Sequence, residues 1–297
     1  MATPCEIKLY AVDEAEARRA SAEAYAEIAA IDTAMNDWKP GSEISRLSAA
    51  AGSGPVGVSD RLYEVLQASL HYSRLSQGAF DITVGPVVKL WRRARNAGRL
   101  PEPEELNVEQ ARIGYSRLRL DPVNRTAQLM MPWMSLDVGG IAKGYACDRA
   151  LEILRRRGIT RAMVNAGGGM ALGDPPPGEK GWKIGLADTD DVLVLSNCGV
   201  ATSGDWERFV EIDGRRYSHV VDPRTGLGLT NRALVTVVAP TGMAADAMTK
   251  CVMVPGPELG LKLAGSLPGT HAWMRWEDGG RAKTHRTPGF DELLKRD

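Results

Sequence analysis

The stretch Met134-Ser135-Leu136-Asp137-Val138-Gly139-Gly140-Ile141-Ala142-Lys143-Gly144-Tyr145 passes from a predicted strand to a predicted helix through two glycines. The strand covers residues 134–138, and the helix covers residues 142–157 with Gly158 as its C-cap. A helix N-terminus beside an ammonium group is a good site for an anion, so Lys143 is a candidate anion ligand. A solvent-exposed lysine in the first turn would explain Lys143 equally well.

Strand patterns predominate in the middle of the chain, and helix patterns flank them. Besides the helix at 142–157, helices are predicted at residues 13–35 and 60–75, in a segment that ends at residue 95, from residue 241 to a stop at residues 255 and 256, and at residues 257–263. The remaining strands are predicted at residues 7–11, 117–120, 126–130, 162–165, 182–186, 192–195, 200–203, 209–212, 217–221, 234–238 and 271–275. Residues 100–109 resemble a polar linker. This order of elements predicts an α+β fold.

The composition of the 297 residues argues against several classes of protein. The 37 Lys and Arg residues equal the 37 Asp and Glu residues, so the chain has no net positive charge to attract nucleic acid. The basic runs at residues 91–95 and 155–157 are expected to be solvent-exposed ends of helices. The four cysteines form no C-x-x-C pair, which argues against a zinc site and a dense disulfide framework.

Neither a signal peptide nor a transmembrane segment is expected from the sequence. The first residues lack a basic region followed by an apolar one, and no apolar run approaches the roughly 18 residues of a membrane span. As written, the chain is therefore expected to be a soluble, cytoplasmic protein.

The segment His219-Val220-Val221-Asp222-Pro223-Arg224-Thr225-Gly226 combines a titratable ring, a carboxylate, a guanidinium group and a tight turn. It fits either a structural hairpin with a capping aspartate or a functional loop. A histidine ring titrates near neutral pH, which makes His219 a candidate for proton transfer or phosphate stabilisation. A hydrolase triad of Ser203, His219 and Asp222 is disfavoured, because the chain has no G-x-S-x-G nucleophile elbow.

Two further segments could contact an anion or a cation. Residues 165–169, Asn-Ala-Gly-Gly-Gly, follow a predicted strand and form either a phosphate-binding turn or a simple glycine loop. Asp246 is expected in the first turn of a helix of small residues. There it would stabilise the helix dipole or bind a hard cation such as Mg²⁺.

Taken together, these segments resemble the FAD:protein FMN transferase family, whose members are also called ApbE-like proteins. The resemblance covers nearly the whole chain, and the segments around Asp137 and His219 are the most specific. The matching segments occur in the family's order, at residues 1–3, 38–47, 78–86, 137–148, 165–168, 201–205, 219–226 and 245–250.

The resemblance implies one T-fold-like α+β domain over residues 1–297, with a mixed or antiparallel sheet flanked by helices. It also implies cleavage of FAD, attachment of FMN through a phosphoester to a Thr or Ser hydroxyl of an acceptor protein, and release of AMP. The acceptor would be a redox subunit with a flavinylation site. By the same resemblance, the residues in FAD-contacting positions are Met1, Trp38, Asp81, Lys143 and Val220.

The resemblance further implies a Mg²⁺ ion, held by the main-chain carbonyl of Gly140 and the carboxylate of Asp246, which makes Asp246 a catalytic residue. The family's third ligand is a threonine four residues after that carboxylate, where this chain has Lys250. Thr249 precedes it by one residue, which on a helix is a rotation of about 100°. Either metal binding is weakened, or the Lys250 ammonium supplies part of the metal's positive charge. The sequence leaves both outcomes open.

Two other functions remain compatible with the sequence: an FAD-binding protein without transfer activity, and an FAD pyrophosphatase in which water replaces the acceptor hydroxyl. Relatives are often exported lipoproteins, so a periplasmic or membrane-anchored protein is the alternative location if the N-terminus is truncated.

Overall fold

A computed structural model describes residues 3–204, 209–278 and 280–295 of the chain. The α-helices are α1 (Glu14–Met35), α2 (Glu43–Ala49), α3 (Asp60–Leu75), α4 (Gly85–Ala97), α5 (Pro103–Gln110), α6 (Ala142–Arg156), α7 (Gly242–Met253) and α8 (Pro257–Gly265). The strands are β1 (Cys5–Leu9), β2 (Val56–Gly57), β3 (Leu118–Asp121), β4 (Thr126–Leu129), β5 (Ala162–Ala166), β6 (Gly169–Leu172), β7 (Trp182–Gly185), β8 (Val192–Leu195), β9 (Cys198–Gly204), β10 (Phe209–Ile212), β11 (Arg215–Ser218), β12 (Arg232–Ala239), β13 (His271–Asp278) and β14 (Arg281–Arg286).

A seven-stranded sheet with the order β1-β5-β6-β9-β12-β13-β14 forms the centre of the fold. Each neighbouring pair in this sheet is antiparallel. The smaller sheets β2-β4-β3, β7-β8 and β10-β11 are antiparallel as well. The structure thus confirms the predicted α+β class with helices beside an antiparallel sheet.

Both faces of the central sheet are covered, which explains why β12 is buried along nearly its whole length. Val235 and Val237 belong to the larger hydrophobic core, together with residues of α1, α3, α6 and α7. Leu234 and Val238 point to the opposite face, because side chains alternate along a strand. There they belong to a second core with residues of β7, β8 and the C-terminal segment.

Polar side chains cap the N-termini of helices α2 and α7. Ser42 caps α2 by accepting a hydrogen bond from the Ser45 amide at 3.1 Å, and Thr241 caps α7 by accepting one from the Ala244 amide at 3.1 Å. At the C-terminal end of α6 the C-cap is Arg157, and the predicted cap Gly158 follows it in the left-handed conformation, with φ of 79°.

The predicted strand at residues 134–138 is wrong. Only Ser135 makes an isolated bridge, to Val84. The backbone amides here have other partners: the Leu136 amide donates to the Ser48 hydroxyl at 3.2 Å, and the Asp137 amide donates to the Ile82 carbonyl at 2.8 Å. Met134, Leu136 and Val138 are buried, but among the described residues this segment forms no strand ladder beyond the single bridge of Ser135.

Three other predictions also need correction. The polar linker at residues 100–109 contains helix α5, which begins after Glu102 with Pro103 at its first position. The strand predicted at residues 217–221 ends at Ser218. Gly169 begins strand β6 and does not belong to a loop.

Within the described residues, no helix is long and apolar enough to cross a membrane. Met1, one of the residues in FAD-contacting positions, lies outside the described residues.

Candidate functional site

A cavity of about 1350 Å³ opens between the central sheet, helix α4 and the N-terminus of α6. Its lining includes six of the residues singled out from the sequence, namely Trp38, Asp81, Gly140, Lys143, His219 and Val220. These residues are far apart in the sequence, and the fold brings them to one place. The cavity is therefore the candidate active site.

Two glycines and the first turn of α6 place Lys143 in the cavity wall. Its ammonium group donates to the Gly139 carbonyl at 3.0 Å and lies 3.8 Å from Asp246 Oδ2. The Lys143 side chain is 23% exposed, so it is more enclosed than a freely solvated lysine. Lys143 lies in the first turn of α6, as predicted, and its role as an anion ligand stays a prediction.

Asp246 lies in the second turn of α7, not in the first turn as predicted, because α7 begins at Gly242. It therefore does not cap the helix. Its side chain is buried, and Oδ2 accepts a hydrogen bond from the Gly144 amide at 3.2 Å. Burial opposes ionisation of this carboxyl, but the positive charges of Lys143 and Lys250 outweigh it and hold the pKa of Asp246 below its usual value.

Besides its N-cap Thr241, the N-terminus of α7 is held by Asp148, which extends from the neighbouring helix α6. Its two carboxylate oxygens accept hydrogen bonds from the amides of Gly242 at 2.7 Å and Met243 at 2.8 Å. Burial raises the pKa of Asp148 to about 6, although these amides act in the opposite direction. Asp148 thus fixes α7, and with it Asp246, against α6.

The donor set around Asp246 does not fit the Mg²⁺ ion that the resemblance implies. Lys250 Nζ lies 2.7 Å from Asp246 Oδ1 and 3.2 Å from the Asp246 carbonyl oxygen. Burial lowers the pKa of Lys250, and the Asp246 carboxylate opposes that shift. Among the described residues, no group of three or more His, Cys, Asp or Glu residues could hold a metal ion.

Thr249 does not replace the missing third ligand. Its hydroxyl is buried, donates to the Asp246 carbonyl at 2.7 Å and lies 2.9 Å from the Ser203 hydroxyl. The one-residue shift therefore directs Thr249 to the backbone of its own helix and to β9, as the rotation of about 100° per residue requires.

An ion-pair cluster beside an aromatic ring lines part of the cavity. Arg92 donates to Asp37 at 2.8 Å and to Asp137 at 3.0 Å, and its guanidinium carbon lies 4.3 Å from the ring centroid of Trp38. Burial, and then the charge of Asp37, raises the pKa of Asp137. Trp38 remains 71% exposed, so its free face can stack on a planar ligand.

The prediction that residues 91–95 form only a solvated helix end is therefore wrong for Arg92, as it is for the buried Trp91 and for Arg95, which also lines the cavity. Arg93 fits that description, since its side chain is 68% exposed and pairs with Glu105. Arg92 lies one position earlier, on the face of α4 that borders the cavity. A helical projection places the two arginines on different sides of α4. It cannot identify the acidic partners of Arg92, because they are distant in the sequence.

Asp81 lies in the cavity wall but also organises it. One carboxylate oxygen accepts from the Thr83 amide at 2.8 Å and the Thr83 hydroxyl at 2.7 Å, and the other accepts from the Tyr115 amide at 2.9 Å. Burial raises the pKa of Asp81, and these hydrogen bonds partly offset the rise. Asp81 thus ties the turn before α4 to the chain after α5.

Some residues of the loop after β11 stabilise the loop itself, and others line the cavity. Asp222 is buried and forms an ion pair with Arg224 at 2.7 Å, which stabilises the turn that the Asp-Pro pattern predicted. His219 and Val220 line the cavity. The disfavoured triad is not formed, because Asp222 pairs with Arg224 and the Ser203 hydroxyl contacts Thr249.

The glycines at positions 167 and 168 also line the cavity. Both have positive φ values, 54° and 93°, and a Cβ on Gly167 would lie 2.6 Å from Thr3 Cβ. Glycine is therefore required at this turn, which lets the backbone come close to the cavity.

Comparison with known proteins identifies relatives of the chain. The family model described as "ApbE family" matches residues 1–274. A Klebsiella pneumoniae protein named FAD:protein FMN transferase is 30% identical over 308 residues, which cover 99% of this chain and 87% of the relative. The solved structure titled "Flavin Transferase ApbE from Vibrio cholerae" has a TM-score of 0.88 and 28% identity, and the match covers 99% of this chain and 96% of that one. The apo form of the Pseudomonas stutzeri flavinyl transferase ApbE has a TM-score of 0.86 and 28% identity, with 98% and 93% covered.

Proposed function

Because this chain belongs to the ApbE family, we propose that it is a flavin transferase that uses FAD as donor. It cleaves FAD, attaches FMN through a phosphoester to a Thr or Ser hydroxyl of an acceptor protein, and releases AMP. The observation that carries the proposal is the single cavity that brings Lys143, Lys250 and His219 together beside Trp38. We further propose that residues 1–297 act as one catalytic domain.

The cavity suits a ligand the size of FAD. Its volume of about 1350 Å³ exceeds the roughly 300–1,000 Å³ of pockets for drug-sized molecules. Phe80, Trp91 and Val220 contribute apolar wall, and Trp38 offers an exposed ring in the lining. Lys143 and Lys250 supply positive charge for the pyrophosphate. Within this proposal, Trp38, Asp81, Lys143 and Val220 form the FAD site, together with Met1.

The proposed reaction exchanges one bond to phosphorus for another. The acceptor hydroxyl oxygen attacks the phosphorus on the FMN side of the pyrophosphate, and the bond from that phosphorus to the bridging oxygen breaks. The hydroxyl proton is removed as the new phosphoester forms, and AMP carries away the bridging oxygen with its negative charge. Catalysis then requires alignment of the groups and stabilisation of the developing charge.

His219 and Asp246 have different tasks in this proposal. His219 lines the cavity and is our candidate for accepting the hydroxyl proton or stabilising the phosphate. Asp246 is buried behind the two lysines and pairs with both. It is therefore the residue that positions the ammonium groups of Lys143 and Lys250.

The Mg²⁺ ion implied by the family resemblance stays a prediction. Gly140 and Asp246 are the residues that would hold it, and the cation would neutralise pyrophosphate charge if it bound. Lys250 argues against this ion, because its ammonium group already contacts the Asp246 carboxylate. The proposed transfer does not depend on which cation neutralises the pyrophosphate.

The partner in this proposal is an acceptor flavoprotein with a Thr or Ser flavinylation site, and the expected type is a redox subunit. To test the function, the purified chain is incubated with FAD and such a subunit, taken from a gene beside that of this chain. Intact-mass spectrometry then follows the acceptor, and chromatography follows AMP and free FMN.

Each outcome identifies one function. A gain in acceptor mass equal to FMN less one water, together with AMP, supports the transferase. AMP and free FMN without a gain in acceptor mass would instead show an FAD pyrophosphatase. Bound FAD that stays intact under every condition would show a flavin-binding protein. A variant with His219→Ala is compared in parallel and is expected to transfer flavin more slowly while still binding FAD.

A further inference from the structure

We propose that Lys250 is a built-in cation, whose ammonium group takes the place of a divalent metal and lets the cavity bind the pyrophosphate of FAD without one. The inference rests on the proposed function, because it concerns the same FAD site. It goes further, since it states which group neutralises the donor and predicts that a chelator leaves binding intact.

The first argument is the position of the Lys250 side chain. A Cβ placed on Gly140 would lie 3.2 Å from Lys250 Cε and 3.4 Å from the Phe80 ring. At its tip, Lys250 Nζ lies 2.7 Å from Asp246 Oδ1. The side chain therefore fills the space between Gly140 and Asp246, the two residues that would have to share a metal ion.

The second argument is that the ligand atoms a cation needs are already in use. Asp246 Oδ1 accepts from Lys250, and Oδ2 accepts from the Gly144 amide and lies 3.8 Å from Lys143 Nζ. A divalent cation bound here would lie beside two ammonium groups, and like charges at such distances repel strongly in a buried site. It would also have to displace Lys250 from a charge-assisted hydrogen bond.

The third argument concerns the charge that faces the ligand. The two lysines and one carboxylate of this cluster carry a net charge of one positive unit, and of the three side chains only the lysines line the cavity. The other carboxylates of the wall have partners of their own: Asp37 and Asp137 pair with Arg92, Asp188 with Arg275 and Asp32 with Lys39, and Asp81 accepts three hydrogen bonds. At this end of the cavity, Lys143, Lys250 and Asp246 therefore present one net positive charge to an anionic ligand.

The test measures binding and needs no acceptor. FAD affinity is determined by flavin fluorescence in EDTA and in Mg²⁺ for the wild-type chain and for Lys250→Thr. Lys262→Thr is the matched control, because Lys262 is an exposed lysine on α8 that does not line the cavity. Binding of Mn²⁺ is followed by electron paramagnetic resonance, with and without FAD. Thermal unfolding in Mg²⁺ establishes that each variant is folded.

For the wild type and for Lys262→Thr, we expect FAD dissociation constants that agree within about twofold in EDTA and Mg²⁺, and no stoichiometric Mn²⁺ binding. Lys250→Thr removes the ammonium and frees Asp246, so its FAD affinity should fall about tenfold or more in EDTA. Mg²⁺ should restore that affinity, and the variant should bind Mn²⁺ when FAD is present.

A wild-type chain that binds one Mn²⁺, or that loses FAD affinity about tenfold in EDTA, would overturn the inference. This result requires only wild-type protein, so a variant that fails to fold does not prevent the decision. Because no transfer is measured, a chain that binds FAD independently of metal but never flavinylates an acceptor would refute the proposed function alone.

Discussion

Asp81 shows how one side chain can stabilise the cavity wall. Its two hydrogen bonds from Thr83 are buried, and the one from the Tyr115 amide is partly buried. Asp81→Ala leaves these donors unpaired, so we expect the free energy of unfolding to fall by about 1–3 kcal/mol. Denaturant titration measures the change.

Asp121→Ala provides the matched control for Asp81→Ala. Asp121 also accepts three hydrogen bonds, from the Val123 amide and from the amide and side chain of Asn124, but these bonds are exposed. Water can replace the carboxylate there, and the loss should be smaller. Equal losses for the two variants would show that burial does not determine the contribution of Asp81.

Trp38 allows ligand binding to be separated from stability. The ring is 71% exposed and lies over Arg92, so its removal costs little packing. We expect Trp38→Ala to weaken FAD binding about five- to tenfold through lost stacking, while the free energy of unfolding changes by less than about 0.5 kcal/mol. Fluorescence titration and denaturant titration measure the two quantities.

Trp133→Ala is the control for Trp38→Ala. Trp133 is 75% exposed and also lies near an arginine: the guanidinium carbon of Arg112 is 5.9 Å from its ring centroid. Unlike Trp38, Trp133 does not line the cavity. Its loss should leave FAD affinity unchanged. If both variants bind FAD as the wild type does, the ring of Trp38 does not contact the ligand.

Candidate site residues could be predicted where a local pattern marks them. Lys143 was found because two glycines precede a helix, and His219 because a polar turn follows a strand. The role of Arg92 could not be found in this way. It depends on Asp37 and Asp137, which lie 55 and 45 residues away along the chain. Only the fold brings these charges together.

The close contact between helices α6 and α7 also determines the geometry of the candidate site. A Cβ on Gly144 would lie 2.0 Å from the Gly242 carbonyl oxygen, so the two helices can touch only with glycine at this position. Gly144→Ala should push the helices apart and lower the free energy of unfolding by about 1–3 kcal/mol.

FAD affinity should fall as well in Gly144→Ala, because the Gly144 amide donates to Asp246. Gly185→Ala is the control, since a Cβ on Gly185 meets nothing within 4 Å. It should change stability by less than about 0.5 kcal/mol. A stable Gly144→Ala variant with normal FAD affinity would contradict the close packing described here.

The Asp148 carboxyl group, which accepts hydrogen bonds from the N-terminus of α7, makes stability depend on pH. The pKa of Asp148 is raised to about 6 in the folded chain, whereas an unfolded aspartate titrates near 3.9. Between these values the folded chain binds more protons than the unfolded chain, so this contribution to stability is complete below pH ~4 and is lost as the pH rises through about 6.

Asp148→Asn lacks this titration. The difference in free energy of unfolding between wild type and Asp148→Asn should therefore shrink by about 2–3 kcal/mol as the pH rises from about 4 to 7. Denaturant titrations at several pH values measure it, and other titrating groups cancel in the difference. A difference that is constant, or that grows with pH, would argue against a raised pKa of Asp148.

Elements with strong periodicity were predicted well, and elements defined by their neighbours were not. Helix α3 was predicted at its observed bounds because apolar residues recur at helical spacing. Residues 134–138 alternate like a strand, yet their amides donate to Ser48 and Ile82. The pattern reports which side chains are buried, and it does not report what the backbone bonds to.

The order of strands in the central sheet lies beyond any local pattern. Strand β1 pairs with its neighbour β5, so that Cys5 lies opposite Ala166. This pairing, and those of β6, β9 and β12, arrange the glycine turn, α6 and α7 around one cavity. The α+β class could be predicted from the elements, whereas the convergence on one site could be expected only from the family resemblance.

The most direct test of the central claim is the stoichiometry of AMP and acceptor-bound flavin in one reaction. The purified chain, FAD and the redox subunit are mixed, samples are quenched over time, and both products are quantified together. Transfer at this cavity predicts that each AMP released is matched by one FMN joined to an acceptor hydroxyl, at every time point. AMP that accumulates while the acceptor stays unmodified would contradict the account.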